Sequence, residues 1–382
     1  MKISLPDTQG SLSEFSLRAD PLPMAKLPPD ASRIVIAAAH VVADPFTDQD
    51  PTGRATPDWD ATMAFRRHLA DLGLGIAEAM DTAQRGMGLD WPGALELIRR
   101  TRAELPDALV FNGCGTDQLD PLAARSLDDV KRAYDEQIAA IQKLDGRIVL
   151  MASRALAQVA KGSEDYSDVY AHALSQCDKP VILHWLGDMF DPALSGYWGN
   201  DDFGKCCTTV LDIIRTHPEK VDGIKISLLD KDKEIALRRQ LPKTVKMYTG
   251  DDFNYPELIE GDDQGFSHAL LGVFDPLATA AACAVGQLSA GDTAAYRATL
   301  DPTVALARQV FRAPTQYYKT GVVFLAWLNG FQDHFIMING AQSQRSLPDY
   351  VALFKQADDC GVLLDPEMAV AKMRGLLTMY GV

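Results

Sequence analysis

Lys225 is the residue in this sequence whose setting most strongly suggests chemistry. It stands in the segment Val221-Asp-Gly-Ile-Lys-Ile-Ser227, whose apolar and small residues predict a short strand. Burial disfavours the charged form of a lysine, so its pKa can fall by up to about 3–5 units. A neutral amine at pH 7 is a nucleophile that can condense with a ketone. The alternative is a lysine at a strand end that reaches out to water.

The chain around this lysine alternates between apolar runs and helical patterns. The predicted strands are residues 33–39, 75–80, 108–112, 147–152, 180–185, 221–227, 244–248 and 266–271. Eight strand–helix units of roughly 25–40 residues are typical of an α/β fold of the (β/α)8 TIM-barrel type. A doubly wound sheet is the alternative, but no GxGxxG motif follows the first strand.

Three regions follow from this pattern. Residues 1–32 are predicted to be an N-terminal extension with a hairpin, and residues 33–290 to be the barrel. Residues 291–382 are predicted to be a C-terminal helical region. The helices predicted in that region are residues 293–311, 316–328, 347–359 and 366–379.

Candidate site residues lie at the carboxyl ends of the predicted strands, where TIM barrels build their active sites. Lys225 and His184 are the candidate catalytic residues, since an imine-forming amine needs an acid or base to move protons. An unperturbed histidine pKa of about 6.5 suits that task, although His184 also fits a hydrogen-bonded core position. The candidate substrate-binding residues are His40, Glu78, Thr82, Arg85, Asn112, Ser227 and Tyr248.

Composition argues against several classes of protein. The net charge of −15 disfavours nucleic-acid binding, which needs a basic surface. The six cysteines show no CxxC spacing, and no local motif indicates a metal or another cofactor, so we expect none. The apolar run 321–328 is too short to cross a membrane. We expect a cytoplasmic protein with a small-molecule carbonyl substrate.

Several of these segments resemble one enzyme superfamily. Residues 180–185 (Pro-Val-Ile-Leu-His-Trp), 221–227 and 248–252 (Tyr-Thr-Gly-Asp-Asp) are similar to strands five, six and seven of the dihydrodipicolinate synthase / N-acetylneuraminate lyase superfamily. Its corresponding strands contain Pro-x-Ile-Leu-Tyr-Asn, Gly-Ile-Lys-Asp/Glu-Ser and Ser-Gly-Asp-Asp. Further similarities are found in residues 113–116, 265–276, 291–292 and 318–321. The resemblance covers roughly residues 33 to 330.

This resemblance implies a (β/α)8 barrel with C-terminal helices and a class I aldolase mechanism. Lys225 matches the lysine that forms an imine with pyruvate or another 2-oxo acid. The imine acidifies the neighbouring carbon, so that a C–C bond can form or break, or water can leave. The superfamily also implies a homo-oligomer, a dimer or a tetramer.

The sequence departs from the superfamily at three strands. His184 stands in place of the strand-five tyrosine that moves protons. Asp81-Thr-Ala-Gln-Arg85 replaces the Gly-Thr-Thr-Gly-Glu motif that holds the carboxylate of a 2-oxo acid, and only Thr82 keeps a hydroxyl. Asp81 would repel a carboxylate, unless Arg85 turns inward to offset it. Ser153-Arg-Ala155 replaces Pro-Tyr-Tyr on the fourth strand. A keto-sugar or its acid is therefore a second candidate substrate.

Two other functions stay open on the sequence alone. Oxygen and imidazole ligands from His40, Glu78, His184 and Asp251 could hold Mn²⁺ or Zn²⁺ in a metal-dependent sugar isomerase or epimerase. A non-catalytic ligand-binding barrel is the other possibility, since a fold alone does not imply a function.

Overall fold

The chain folds as a closed eight-stranded parallel barrel preceded by a hairpin and followed by helices. A computed structural model describes residues 1–48 and 54–382. The hairpin pairs β1 (Lys2–Pro6) with β2 (Leu12–Ser16). The barrel strands are β3 (Val35–Ala38), β4 (Gly75–Glu78), β5 (Val110–Cys114), β6 (Arg147–Leu150), β7 (Val181–Leu186), β8 (Val221–Ser227), β9 (Lys246–Thr249) and β10 (His268–Leu271). The barrel closes because β10 pairs with both β9 and β3.

Helices surround the barrel and then extend beyond it. Those of the barrel are α1 (Trp59–Asp71), α2 (Trp91–Glu104), α3 (Leu127–Lys143), α4 (Arg154–Val159), α5 (Ser163–Gln176), α6 (Phe203–Thr216), α7 (Lys231–Arg238), α8 (Tyr255–Glu260) and α9 (Ala278–Ser289). The C-terminal helices are α10 (Thr293–Leu300), α11 (Thr303–Val310), α12 (Tyr318–Leu328), α13 (Leu347–Asp359) and α14 (Pro366–Met379). Every helix in the described residues is too short or too polar to span a bilayer.

The structure confirms the predicted TIM barrel with C-terminal helices. Strand β8 and helices α13 and α14 have the predicted bounds. The helix predicted over residues 293–311 is wrong: α10 and α11 are separate helices that meet at Asp301-Pro302. Pro302 lacks the N–H that a continuous helix needs. The third strand lies two residues later than predicted, and α4 and α8 were not predicted.

Side chains alternate between the inside of the barrel and the layer beneath the helices. The inward-facing apolar side chains form a cluster of their own, with Ile36, Ala77, Phe111, Val149, Ile182 and Leu270 among its members. Outward-facing side chains pack against the helices in two larger clusters. One of these clusters joins β3 and β10 to the hairpin and to α10–α14. The C-terminal helices therefore share a hydrophobic core with the barrel.

A buried ion pair ties β4 to α1 in the outer layer. Both carboxylate oxygens of Glu78 accept hydrogen bonds from Arg66, at 3.0 Å from Nε and 2.8 Å from Nη2. The Thr101 hydroxyl donates to the same carboxylate at 2.6 Å. Neither charged side chain is exposed, so each depends on the other for compensation of its charge.

We expect Arg66→Met to destabilise the fold strongly, by about 3–5 kcal/mol, because it leaves the Glu78 carboxylate buried without its partner. Arg67→Met is the matched control on the same helix, since Arg67 pairs with Glu104 at the surface and such pairs contribute about 1 kcal/mol or less. Urea unfolding monitored by circular dichroism gives both values. Equal losses in the two variants would contradict this account of the pair.

A second buried carboxylate, that of Glu234 on α7, receives hydrogen bonds from the last residue of β9 and from the residue that precedes β10. Thr249 donates to it at 2.9 Å and Ser267 at 2.6 Å. Burial raises the pKa of Glu234 from 4.5 to about 8. Between those values the unfolded chain loses this proton and the folded chain keeps it, so rising pH favours unfolding.

We therefore expect Glu234→Gln to remove a fall in stability that the wild type undergoes between pH 5 and pH 8. The change should be of the order of 3 kcal/mol, since each pKa unit corresponds to about 1.4 kcal/mol. Urea unfolding at the two pH values measures it. Glu257→Gln is the control, because Glu257 forms a half-exposed pair with Lys231. This variant should keep the wild-type dependence of stability on pH. If the stability of Glu234→Gln depends on pH as that of the wild type does, the pH effect does not come from Glu234.

Candidate active site

A small cavity lies against Lys225 at the carboxyl ends of the strands. It measures about 10 Å³, which is room for roughly one water molecule. Its lining residues come from the barrel, from the loops after the strands and from the C-terminal region. They are Ala38, Met80, Asp81, Thr82, Leu186, Phe190, Lys225, Ser227, Asp252, Gly272, Phe311 and Tyr318. We call this the inner cavity.

The Lys225 side chain is buried, with 7% of its surface exposed. Burial lowers the pKa of its ammonium, while the carboxylates of Asp252 and Asp81 act in the opposite direction. Asp252 is itself buried and accepts a hydrogen bond from the Val273 N–H at 2.8 Å. Burial raises the pKa of this carboxyl group, while the nearby Lys225 opposes the rise. Lys225 is thus an amine whose basicity the barrel reduces.

Two glycines make space for side chains inside the barrel around Lys225. A Cβ atom on Gly223, two residues earlier on β8, would lie 2.6 Å from the Tyr248 ring. A Cβ atom on Gly250 would lie 2.8 Å from Cε of Lys225 and 2.2 Å from the Ser227 hydroxyl. Gly250 therefore leaves room for the lysine chain and the Ser227 hydroxyl, and Gly223 leaves room for the Tyr248 ring.

His184 is the partner of Lys225 on the neighbouring strand, since the two residues are in register across β7 and β8. Its Nε2 lies 3.3 Å from the Ser227 hydroxyl. Burial, with a further contribution from Lys225, lowers the pKa of His184 well below its usual value. The imidazole is therefore neutral, which allows it to accept or donate a proton through one of its two nitrogens.

A larger outer cavity of about 210 Å³ adjoins the inner one and shares Asp81 and Leu186 with it. His184 lines this outer cavity, as do Thr116, Asp117 and Asp191. Arg154, a partly exposed arginine, also lines the outer cavity. The Nε of Arg154 donates to Asp191 at 2.5 Å. The inner and outer cavities together offer a hydrogen-bonding surface with an excess of carboxylates.

Arg85 is buried beside the outer cavity, but its guanidinium donors are already engaged. Asp117 accepts from Nε at 2.7 Å and from Nη2 at 2.6 Å. Gln137 and two backbone carbonyl groups accept the other hydrogen bonds. Arg85 therefore holds the loops after β4 and β5 together and is not oriented toward Lys225.

Four of the candidate residues line neither the inner cavity nor the outer one. Glu78 faces outward to Arg66. His40 directs Nδ1 to Asp275 at 2.8 Å, and its ring packs on Phe65. Neither His40 nor Glu78 lines the inner cavity or the outer one.

The other two are engaged near the opposite end of the barrel. Asn112 donates to the carbonyl oxygen of Arg147, the first residue of β6, at 2.8 Å. The Tyr248 hydroxyl donates to Asp222, the second residue of β8, at 2.7 Å. Thr82, Ser227 and Lys225 are the sequence-predicted residues that line the inner cavity.

The four ligands considered for a metal-dependent enzyme do not converge. His40 and Glu78 have the partners described above, and Asp251 accepts hydrogen bonds within its own loop from Phe253 and Asn254. Within residues 1–48 and 54–382, no three His, Cys, Asp or Glu side chains form a potential metal-binding group.

A family model matches residues 3–382 of the chain. The chain belongs to the family described as "Protein of unknown function (DUF993)". No curated protein matches the sequence. The fold of this DUF993 member is nevertheless shared by many solved structures.

Three dihydrodipicolinate synthase-type structures illustrate this likeness. The 4-hydroxy-tetrahydrodipicolinate synthase from Methylacidiphilum fumariolicum SolV is 15% identical, with a TM-score of 0.64 over 90% of this chain and 99% of that one. Dihydrodipicolinate synthase from Bacteroides thetaiotaomicron is 13% identical, with a TM-score of 0.63 over 88% and 98%. The Aquifex aeolicus dihydrodipicolinate synthase is 12% identical, with a TM-score of 0.60 over 91% and 98%. These matches confirm the resemblance predicted from the strand motifs, at the level of the fold.

Two residues that the sequence did not single out as site residues belong to the C-terminal helix α12. Tyr318 lines the inner cavity. Lys319 is buried beside it and donates to the Gln316 carbonyl at 3.2 Å. Burial lowers the pKa of Lys319 to about 8, against the opposing effect of Asp81. The available signals were the similarity of residues 318–321 to the superfamily and the position of Tyr318 and Lys319 before the apolar run 321–328.

We expect Gly250→Ala to displace Lys225 or Ser227 and to destabilise the protein by about 1–3 kcal/mol, as overpacked sites do. The Lys225 peptide should also change in reactivity toward cyanate, a small amine-modifying reagent, measured by mass spectrometry. Gly375→Ala on α14 is the control, since its new Cβ has no neighbour within 4 Å. If Gly250→Ala matches that control in stability and in Lys225 labelling, the close approach at Gly250 is not a constraint.

Proposed function

We propose that this protein is a Schiff-base-forming lyase of the class I aldolase or dehydratase type. In this proposal the Lys225 amine condenses with the carbonyl group of a small-molecule substrate, a 2-oxo acid or a keto-sugar derivative. The single observation that carries the proposal is a buried lysine, reduced in basicity, that lines a cavity at the carboxyl ends of the barrel strands. The likeness of fold to dihydrodipicolinate synthases supports it.

The imine would serve as an electron sink. It withdraws electrons from the neighbouring carbon, so that a carbanion formed there by C–C cleavage or proton loss is stabilised. His184 is neutral and hydrogen-bonded to Ser227, at the boundary between the two cavities. We assign it the proton transfers on the part of the substrate that lies in the outer cavity.

The charges around Lys225 favour a hydroxylated ketone over a 2-oxo acid. Asp81 and Asp252 line the inner cavity, and Lys225 is the basic residue there. Arg85, the other candidate partner for a carboxylate, is already bound to Asp117. A carboxylate next to Asp81 would be repelled, whereas a substrate hydroxyl can donate a hydrogen bond to it. The outer cavity has room for the rest of such a substrate.

Borohydride trapping tests the proposal directly. The protein is incubated separately with dihydroxyacetone, a hydroxylated ketone, and with pyruvate, a 2-oxo acid, and each mixture is reduced with borohydride. We expect an added mass on the peptide that contains Lys225, with more adduct from dihydroxyacetone. Lys225→Met should abolish the adduct, and Lys231→Met, a change at the surface, should leave it intact.

Each outcome separates one part of the proposal from the others. An adduct found only on the peptide containing Lys319 would show that the imine forms at Lys319 and that the assignment to Lys225 is wrong. A larger adduct from pyruvate would retain the imine and contradict the preference for hydroxylated ketones. No adduct from either compound would count against the imine mechanism.

A further inference from the structure

The phenol of Tyr318 lies in the same cavity as the Lys225 amine. Its hydroxyl is 2.9 Å from Oγ1 of Thr82, and all three residues line the inner cavity. The Tyr318 ring stacks on Phe311 with centroids 4.4 Å apart and an interplanar angle of 14°. The Phe190 ring packs nearly perpendicular to it, with an interplanar angle of 86° and centroids 6.0 Å apart. Two aromatic neighbours therefore hold the phenol in one orientation.

Imine formation at Lys225 needs a proton donor in the inner cavity, which His184 reaches only through the Ser227 hydroxyl. His184 lines the outer cavity, and its Nε2 is directed to Ser227. Burial keeps the Tyr318 phenol protonated, since it raises the pKa well above the usual value, with Asp81 and Asp252 adding to the effect. A protonated phenol beside the amine can donate to an oxygen atom bound to the carbon that the amine attacks.

We propose that Tyr318 is the proton donor for imine formation at Lys225 and that the Thr82 hydroxyl relays a proton back to Tyr318. This proposal rests on the imine chemistry proposed above. The superfamily that this chain resembles uses a strand-five tyrosine for proton transfer, and His184 occupies that position here. The structure offers a phenol from α12 instead, which lines the inner cavity from the side of the C-terminal region. The role is assigned from the shared cavity and from the hydrogen bond to Thr82.

The proton transfers balance in two steps. In the first, the neutral amine nitrogen bonds to the carbonyl carbon, and the C=O π electrons move to oxygen, which takes the phenolic proton. The nitrogen then returns one proton to the phenolate through the Thr82 hydroxyl, which leaves a neutral carbinolamine. In the second step, the carbinolamine hydroxyl takes the phenolic proton and leaves as water. The nitrogen lone pair forms the C=N bond, so the products are a protonated imine and a phenolate.

Tyr318→Phe removes the proton donor and keeps the ring that stacks on Phe311. With whichever probe is trapped by the wild type, dihydroxyacetone or pyruvate, we expect adduct formation at Lys225 to slow by about 100-fold or more, as general acid–base catalysis contributes roughly 10²–10⁴. The mass of the final adduct should not change. Samples reduced with borohydride after increasing incubation times give the rate.

Tyr317→Phe is the matched control. It removes a phenol from the neighbouring residue, which lines neither cavity, and should leave the rate of trapping unchanged. Thr82→Val should slow trapping, whereas Thr82→Ser should restore most of it, since a serine hydroxyl can relay the proton. Thermal unfolding of each variant identifies any loss of rate that comes from misfolding.

The outcomes distinguish this proposal from the one on which it rests. Trapping of Tyr318→Phe at the wild-type rate overturns the role of Tyr318 and leaves the imine mechanism in place. A slow Thr82→Ser variant that is as stable as the wild type overturns the relay. Absence of any adduct in the wild type overturns both proposals together.

Discussion

The burial of an amine inside a closed barrel is the constraint on which the candidate site depends. Lys225 faces the interior because strand residues alternate between inside and outside, and Gly223 and Gly250 leave the space that its side chain and the Tyr248 ring require. Removal from water weakens the basicity of the amine, and the Asp252 and Asp81 carboxylates limit that effect. The site therefore holds an amine that is buried and less basic than an ordinary lysine, which favours nucleophilic chemistry.

The barrel does not complete the site by itself. Phe311 and Tyr318 of the inner cavity come from the region after the barrel. That region is fixed in place because α10–α14 share an apolar cluster with the outer faces of β3 and β10. Packing far from Lys225 thus decides where the Tyr318 hydroxyl lies. A change in the C-terminal core would reach the chemistry through the position of α12.

The same barrel can carry different chemistry because its framework and its site depend on different residues. The framework needs apolar side chains at alternating positions and helices that cover them, and many sequences satisfy that requirement. This explains how structures only 12–15% identical to the chain share its fold. The loop after β4 shows the freedom that remains. It presents Asp81 and Thr82 to the inner cavity, while Arg85 of the same loop is bound to Asp117.

The sequence by itself determined the alternation of strands and helices, hence the barrel, and the position of Lys225 on β8. It could not determine which polar residues at strand ends face the cavity. A buried parallel strand is apolar on both of its faces. The sequence pattern therefore does not show that Glu78 and Asn112 face outward. Only the tertiary structure placed Glu78 against Arg66 and brought Tyr318 to Thr82, residues 236 positions apart. Both contacts depend on how the helices pack against the barrel, which local sequence patterns do not encode.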